Sequence, residues 1–303
     1  KSSYGVFRAR VIVSELKFFE DDLELESFMN NILNIALAQM TSTDQVETNL
    51  QQILQMVREA SQQPDSIRPR IIFFPENSLY FRIKSDEKLP QIILNSAEFN
   101  ALETISKETN IYLHLTSTVY DNGKNWNASV LVSPGSGSQI IYRKIHLFDI
   151  TLAGDKSIRE SDVFAHGGEV TQFDIEGFKF GSSVCYDIRF SELYHKHALA
   201  GVDAIVVPAA FLVKTGMIHW EILLKARAIE SQCYVLAPAQ WGSHQSVNGQ
   251  ISRETFGHSM IVGPWGQSSE QKKDGIGLIY ARLDKEESLK VRSQIPMKDH
   301  RRI

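Results

Sequence analysis

The run Ile71-Ile72-Phe73-Phe74 constrains the fold more than any other feature of this chain. It lacks polar alternation, so it reads as a strand covered on both faces, which requires a layer above it and another below. It ends abruptly at Pro75-Glu76-Asn77, placing a carboxylate at the edge of a buried sheet. The flanking sequence supplies the layers. Ile35–Met40 reads as a strand, and Gln45–Gln62 puts Val46, Leu50, Ile53, Leu54 and Val57 at helical spacing, with Asp44 and Glu47 fitting a cap pair. A second amphipathic helix is expected over Ser96–Thr109. Ile111–Tyr120 and Trp126–Ser133 form a hairpin around Asn122-Gly123, Gln139–Tyr142 adds a strand, and Val170–Ile175 pairs with Phe178–Val184 across Glu176-Gly177. Arg189–Ala200 then reads as a helix, Asp203–Val207 as a strand, and Ile218–Ser231 as a helix with Ile218, Ile222, Ala226 and Ile229 on one face. Strands at Tyr234–Ala237, Ser259–Val262 and Gly277–Leu283 follow, and Asp284 with Glu287 opens a last helix. Alternating strands and helices at both ends, with antiparallel pieces between, predict an α/β domain with helices outside buried sheets.

Composition narrows the function. Of 303 residues, 43% are apolar and 22% charged, which fits a globular protein rather than a disordered or fibrous one. A net charge of −4 offers no footprint for nucleic acid or an anionic membrane. The longest dense apolar run, Asp203–Val213, is broken by Pro208 and falls short of the ~20 residues a membrane helix needs. Two cysteines cannot build a disulfide framework, so a reducing compartment is expected, the cytoplasm first, with a mitochondrial location left open. Residues 1–33 read as an N-terminal extension of unclear role, with an acidic stretch at Phe18–Met29 and no secretory-signal core. Residues 34–303 form the domain.

Three segments could carry chemistry. Glu76 follows an apolar strand, where partial burial suits a general base; alone, it could equally cap a helix. Lys144, in Tyr142-Arg143-Lys144-Ile145-His146-Leu147-Phe148-Asp149, shares a face with His146 if that strand continues, and a held ammonium stabilises an oxyanion. Cys185, in Val184-Cys185-Tyr186-Asp187-Ile188-Arg189-Phe190-Ser191-Glu192, lies between a strand and a helix. A helix start and a nearby lysine would lower its thiol pKa toward thiolate, and the Tyr186 N–H is placed to face an oxyanion. Cys233, at an apolar strand start, reads as core. His195-x-His197 on a helix splays its two imidazoles apart, so neither a metal nor a cofactor is expected.

Taken in order, Phe74-Pro75-Glu76, Arg143–Asp149, Cys185–Leu193, Lys214–Glu221, Ala226–His244, Gly257–Met260 and Pro264-Trp265-Gly266 resemble the nitrilase, or carbon–nitrogen hydrolase, superfamily. The blocks are most similar to its Nit branch, the Nit half of NitFhit fusions, which hydrolyses deaminated glutathione to 2-oxoglutarate and cysteinylglycine. The related omega-amidases cleave 2-oxoglutaramate and 2-oxosuccinamate. The resemblance implies a four-layer α-β-β-α sandwich that pairs through an outer helical face as a homodimer. It implies Cys185 as nucleophile forming a thioester, Glu76 as base and Lys144 as oxyanion stabiliser, acting on a small-molecule amide. Arg189 is the candidate for the substrate carboxylate, with Thr215 and His219 beside it; Arg189 could instead bridge to Asp187 or Glu192. The sequence departs from the family at Ser191, in place of Pro, and near the expected pocket at Ala209 and at Met217-Ile218. The family's further glutamate is absent near Thr118–Asp121 or replaced by Asp121. A non-catalytic binding protein on the same fold, or an enzyme passing the acyl group to an amine, are the competing readings.

Overall fold

A computed structural model describes residues 31–84, 87–151, 157–246, 249 and 252–302. The expectation for the N-terminal extension therefore falls almost wholly outside the described residues. Among the described residues sixteen strands appear: β1 (Ile32–Gln39), β2 (Ile71–Phe73), β3 (Tyr112–Asp121), β4 (Lys124–Ser133), β5 (Gly137–Arg143), β6 (Asp149–Ile150), β7 (Ile158–Arg159), β8 (Gln172–Ile175), β9 (Phe178–Ser182), β10 (Ala204–Val206), β11 (Tyr234–Ala237), β12 (Trp241–Gln245), β13 (Ser252–Phe256), β14 (Ser259–Val262), β15 (Ser268–Lys272) and β16 (Gly277–Asp284). The helices are α1 (Val46–Ser61), α2 (Ala97–Thr109), α3 (Ser191–Ala200), α4 (Val213–Ser231), α5 (Lys285–Gln294) and the single turn α6 (Met297–His300).

The strands build two six-stranded sheets, ordered β16-β1-β2-β3-β4-β5 and β15-β14-β11-β10-β9-β8. Both are mixed. β1, β2 and β3 run parallel, as do β9, β10 and β11, and antiparallel strands flank each set. Alternation along β1 explains the layering: Leu33, Ile35 and Leu37 point into a core shared with Phe180, Val206 and Leu236 of the second sheet. Ala36 and Ala38 point the other way, where their small side chains let Ile53 and Val57 of α1 pack close. Trp220 and Leu224 of α4, with Leu193 of α3, cover the outer face of the second sheet. The α-β-β-α sandwich expected from the sequence is what forms. Phe73 anchors its centre, fully buried with its ring 5.5 Å from that of Phe180, and Phe73→Ala would cost about 3–5 kcal/mol.

The two hairpin turns match expectation, since Asn122-Gly123 and Glu176-Gly177 all have φ near +50 to +82°. Other details differ. The N-cap of α1 is Gln45, without a side-chain cap bond; the preceding turn is tied instead by Asn49, whose Oδ1 accepts from Thr43 N at 2.8 Å. At α5 Asp284 does cap, accepting from Glu286 N at 2.9 Å, but Glu287 turns away to accept from the Tyr234 hydroxyl at 2.6 Å. The Ile218–Ile222–Ile229 stripe of α4 faces outward, the three residues 65%, 67% and 51% exposed. The stripe facing the sheet is Gly216, Trp220, Leu224, Arg227 and Ala228. Among the described residues no helix is long and apolar enough to cross a membrane.

Candidate active site

Parallel strands leave a crevice beyond their carboxyl ends, and here chain from both sheets meets there. After β2 the backbone stays bonded to β3 through Phe74 N to His114 O at 2.8 Å and Ser78 N to Thr116 O at 3.0 Å. Pro75, Glu76 and Asn77 bulge between those two bonds, with Asn77 left-handed at φ 61°. The Glu76 carbonyl accepts from Gln240 Nε2 at 3.0 Å, which locks the bulge. β5 ends at Arg143, so Lys144 and His146 do not share a strand face as expected. Lys144 is 2% exposed, whereas the partly buried His146 stacks on Phe190 at 3.6 Å. The Lys144 carbonyl is capped by Gly167 N at 2.8 Å. A Cβ at Gly167 would lie 2.1 Å from the Arg143 carbonyl oxygen, so only glycine allows this approach.

Cys185 opens a short 3-10 turn, Cys185–Arg189, at φ 46°, a left-handed conformation that costs a non-glycine residue about 1 kcal/mol or more. Its N–H is held by Pro208 O at 2.9 Å. The buried carboxylate of Asp187 braces the turn, accepting from Val184 N and from the Tyr142 hydroxyl, both at 2.8 Å. The same carboxylate accepts from His146 N at 3.0 Å and lies 2.7 Å from His146 Nδ1. Asp187 thereby ties the cysteine turn to the lysine loop.

Lys144 Nζ lies 2.8 Å from Glu76 Oε1 and 2.8 Å from Glu160 Oε2. Asn127 Nδ2 bridges the same two carboxylates, 2.8 Å from Glu76 Oε1 and 2.7 Å from Glu160 Oε1. Main-chain donors complete the set: Ala210 N to Glu76 Oε2 at 3.0 Å and Phe148 N to Glu160 Oε2 at 2.7 Å. Burial would depress the lysine, but Glu160 and then Glu76 outweigh it and hold its pKa well above the usual range. The cysteine departs from expectation. Burial, then the charge of Glu76, pushes its thiol well above the ordinary range; Lys144 and the Ala210 N–H pull the other way and lose. Charge acts in the same direction as burial. One ammonium already serves two carboxylates, so a thiolate would be a further anion in a buried site. Burial and the neighbouring Glu76 carboxylate thus favour the neutral thiol at Cys185.

A cavity of ≈ 110 Å³ opens onto these groups. Glu76, Lys144, Cys185, Tyr186, Arg189 and Thr215 all line it. His219 does not; it stands behind Arg189, its Nδ1 3.3 Å from Arg189 Nη1. Arg189 packs over the rings of Phe211 and Tyr186 at 5.3 and 5.8 Å and forms no ion pair with Asp187 or Glu192. Asp121 is engaged by Arg143 at 2.7 Å, so it does not stand in for the further glutamate; Glu160 is the second carboxylate on Lys144. Met217 and Ile218 face outward, 71% and 65% exposed, and not toward the cleft. Cys233 is fully buried and its thiol is pushed up to about 12 by burial. No group of three or more His, Cys, Asp or Glu that could hold a metal forms among the described residues.

Two mixed sheets packed face to face, with a buried Glu–Lys pair beside a strained cysteine, define a hydrolase of the nitrilase class. The family described as carbon-nitrogen hydrolase matches residues 34–292, and the chain belongs to it. The deaminated glutathione amidase of Mus musculus is 34% identical over 277 residues, covering 88% of this chain and 83% of that protein. The nitrilase and fragile histidine triad fusion protein NitFhit of Caenorhabditis elegans is 31% identical over 274 residues; the match covers 88% of this chain and 60% of the fusion protein's length. The crystal structure of NitFhit superposes with a TM-score of 0.79 at 30% identity, over 90% of this chain and 65% of that one. That of Saccharomyces cerevisiae Nit3, a member of branch 10 of the nitrilase superfamily, gives 0.76 at 27% identity over 90% and 97%.

Proposed function

We propose that this protein is a thiol-dependent amidase that hydrolyses a small 2-oxo acid amide, deaminated glutathione before 2-oxoglutaramate, through a thioester on Cys185. The observation that carries the reading is the meeting of Cys185, Glu76 and Lys144 in one cleft. As the sulfur attacks the amide carbon, Glu76 takes the thiol proton, so negative charge moves from that carboxylate onto the substrate oxygen. The developing oxyanion is stabilised by Lys144 and the Tyr186 N–H. The proton on Glu76 passes to the amide nitrogen, the C–N bond breaks and the amine departs. Glu76 then deprotonates water for attack on the thioester, and collapse releases the acid and restores the thiol. Glu160 and Asn127 keep Lys144 charged and aimed throughout. Arg189, fixed over two rings, suits bidentate capture of the 2-oxo acid carboxylate, with Thr215 on the same wall.

Two further parts of the reading concern assembly and location. The exposed stripe of α4, with Met217, Ile218, Ile222 and Ile229 each more than half exposed, supports pairing with a second copy. Two unpaired cysteines support a reducing compartment such as the cytoplasm.

Parallel assays with deaminated glutathione, 2-oxoglutaramate and a plain aliphatic amide test the function. Turnover of the 2-oxo substrates, lost in Cys185→Ala, is expected; turnover of the aliphatic amide alone would remove the 2-oxo acid assignment.

A further inference from the structure

The cleft carries more positive charge than the proposed chemistry uses. Glu76, Lys144 and Glu160 together leave one negative charge, yet Arg82, Arg159, Arg189 and Arg253 line the same walls. Arg159 is answered at the surface by Asp162 at 3.2 Å. Arg253, on β13, is different. Among the described residues no carboxylate forms an ion pair with it. Its Nη1 donates to the Arg82 carbonyl at 2.8 Å, and its guanidinium lies 5.3 Å from the centroid of the Phe81 ring. That ring is a rigid platform. It stacks on His244 at 3.9 Å, and His244 is itself fixed 2.7 Å from Ser42 O and 2.7 Å from Thr255 Oγ1. Burial, and to a lesser degree the charge of Arg82, depress the Arg253 pKa, with Glu76 and Glu160 acting against them. A guanidinium remains charged at neutral pH even so. A partly desolvated, rigidly held cation on a ligand-facing wall is stabilised by an incoming anion.

Charge also indicates which half of a substrate reaches it. Arg189 flanks the cysteine turn, over Tyr186 and Phe211. Arg253 instead lines the cleft together with Glu76 and Glu160, whose charges act on it. The departing amine leaves toward the group that protonates it, which is Glu76, so the amine half of the substrate runs toward Arg253 and the acyl half toward Arg189. We propose that Arg253 is a second anion-binding group of this site, receiving a carboxylate carried by the leaving amine. The substrate proposed above, whose cysteinylglycine leaving group ends in a carboxylate, would then be held at both ends, by Arg189 and by Arg253. This inference rests on the amidase reading above and sharpens it.

Three amides sharing a 2-oxoglutaryl acyl group test it: those of cysteinylglycine, of cysteinylglycinamide and of ammonia. The unaltered chain is expected to favour the free carboxylate over the carboxamide by about tenfold or more in kcat/KM. Arg253→Gln should erase that preference to within about twofold by lowering the carboxylate value, and Arg253→Lys should restore part of it. Arg189→Gln should lower all three together, since the acyl carboxylate is common to them. Equal rates for carboxylate and carboxamide in the unaltered chain would overturn the role of Arg253 and leave the amidase standing. An equal fall for all three substrates in Arg253→Gln would also overturn it, because a merely structural residue behaves that way. No hydrolysis of any of the three would overturn both readings.

Discussion

Replacing Lys144 with Met keeps most of the side chain's volume and removes its charge. The ammonium it deletes sits 2.8 Å from each of two carboxylates and is almost fully buried. Taking one partner from a buried ion pair costs about 3–5 kcal/mol, because the other partner stays buried without compensation. Here two partners are stranded, linked only by the Asn127 amide and by main-chain donors. A site with two negative charges across one amide relieves itself by taking up a proton. A native state that holds a proton the unfolded chain does not is favoured by lower pH. The deficit should therefore be full near pH 8 and shrink by up to about 1.4 kcal/mol per unit on acidification. In the unaltered chain the sign is different. The raised Lys144 pKa gives a contribution fully present through neutral pH, lost only as alkaline pH rises through that raised value. Urea unfolding near pH 5.5 and pH 8 measures both, and the double variant Lys144→Met/Glu160→Gln should be less destabilised than the sum of the singles by about 1–3 kcal/mol. A loss below about 1 kcal/mol at both pH values, with additive singles, would refute the shared-cation reasoning.

Other expectations follow from the same charges and contacts. Glu76→Gln removes causes that raise the Cys185 thiol, so its iodoacetamide alkylation midpoint should fall while hydrolysis drops about 10²-fold or more; an unchanged or higher midpoint would contradict the neutral resting thiol. His114 lies fully buried between Phe73 and Phe173 with both ring nitrogens unpartnered among the described residues, and burial lowers its pKa to about 3. The unfolded chain binds that proton first as pH falls below about 6.5, so stability drops through this window, and His114→Leu should flatten the drop in a thermal-melt pH series. Ile222→Glu on the exposed stripe of α4 should shift sedimentation toward the monomer, with no change expected if that face is unpaired.

Much of the fold was legible because its signals are local. A four-residue apolar run can only be a strand covered on both sides, and Asn122-Gly123 dictates its own turn. Glu76, Lys144 and Cys185 could be picked out because each follows an apolar strand. Glu160 could not. It opens a single 3-10 turn, Glu160–Asp162, directly after the two-residue β7 and reaches Lys144 only through tertiary packing. The expected state of the thiol was reversed by burial, and then by the charge of Glu76, neither of which the sequence around Cys185 displays. Asn127 hides within β4, where it reads as an ordinary strand position. Helix α4 carries apolar residues on opposite sides, so periodicity marks a helix without saying which stripe meets the sheet. Arg253 was invisible for a similar reason, its distinction being the Phe81 platform and the lack of an ion-pair partner among the described residues rather than any sequence neighbour.

The most direct test of the account is the intact mass of the protein, acid-quenched during turnover of a 2-oxo acid amide. The account predicts a population heavier by the acyl group, mapped to the peptide containing Cys185 and absent from a folded Cys185→Ala variant that has lost turnover. Sustained turnover in that variant, or an acyl group carried on another residue, would contradict it.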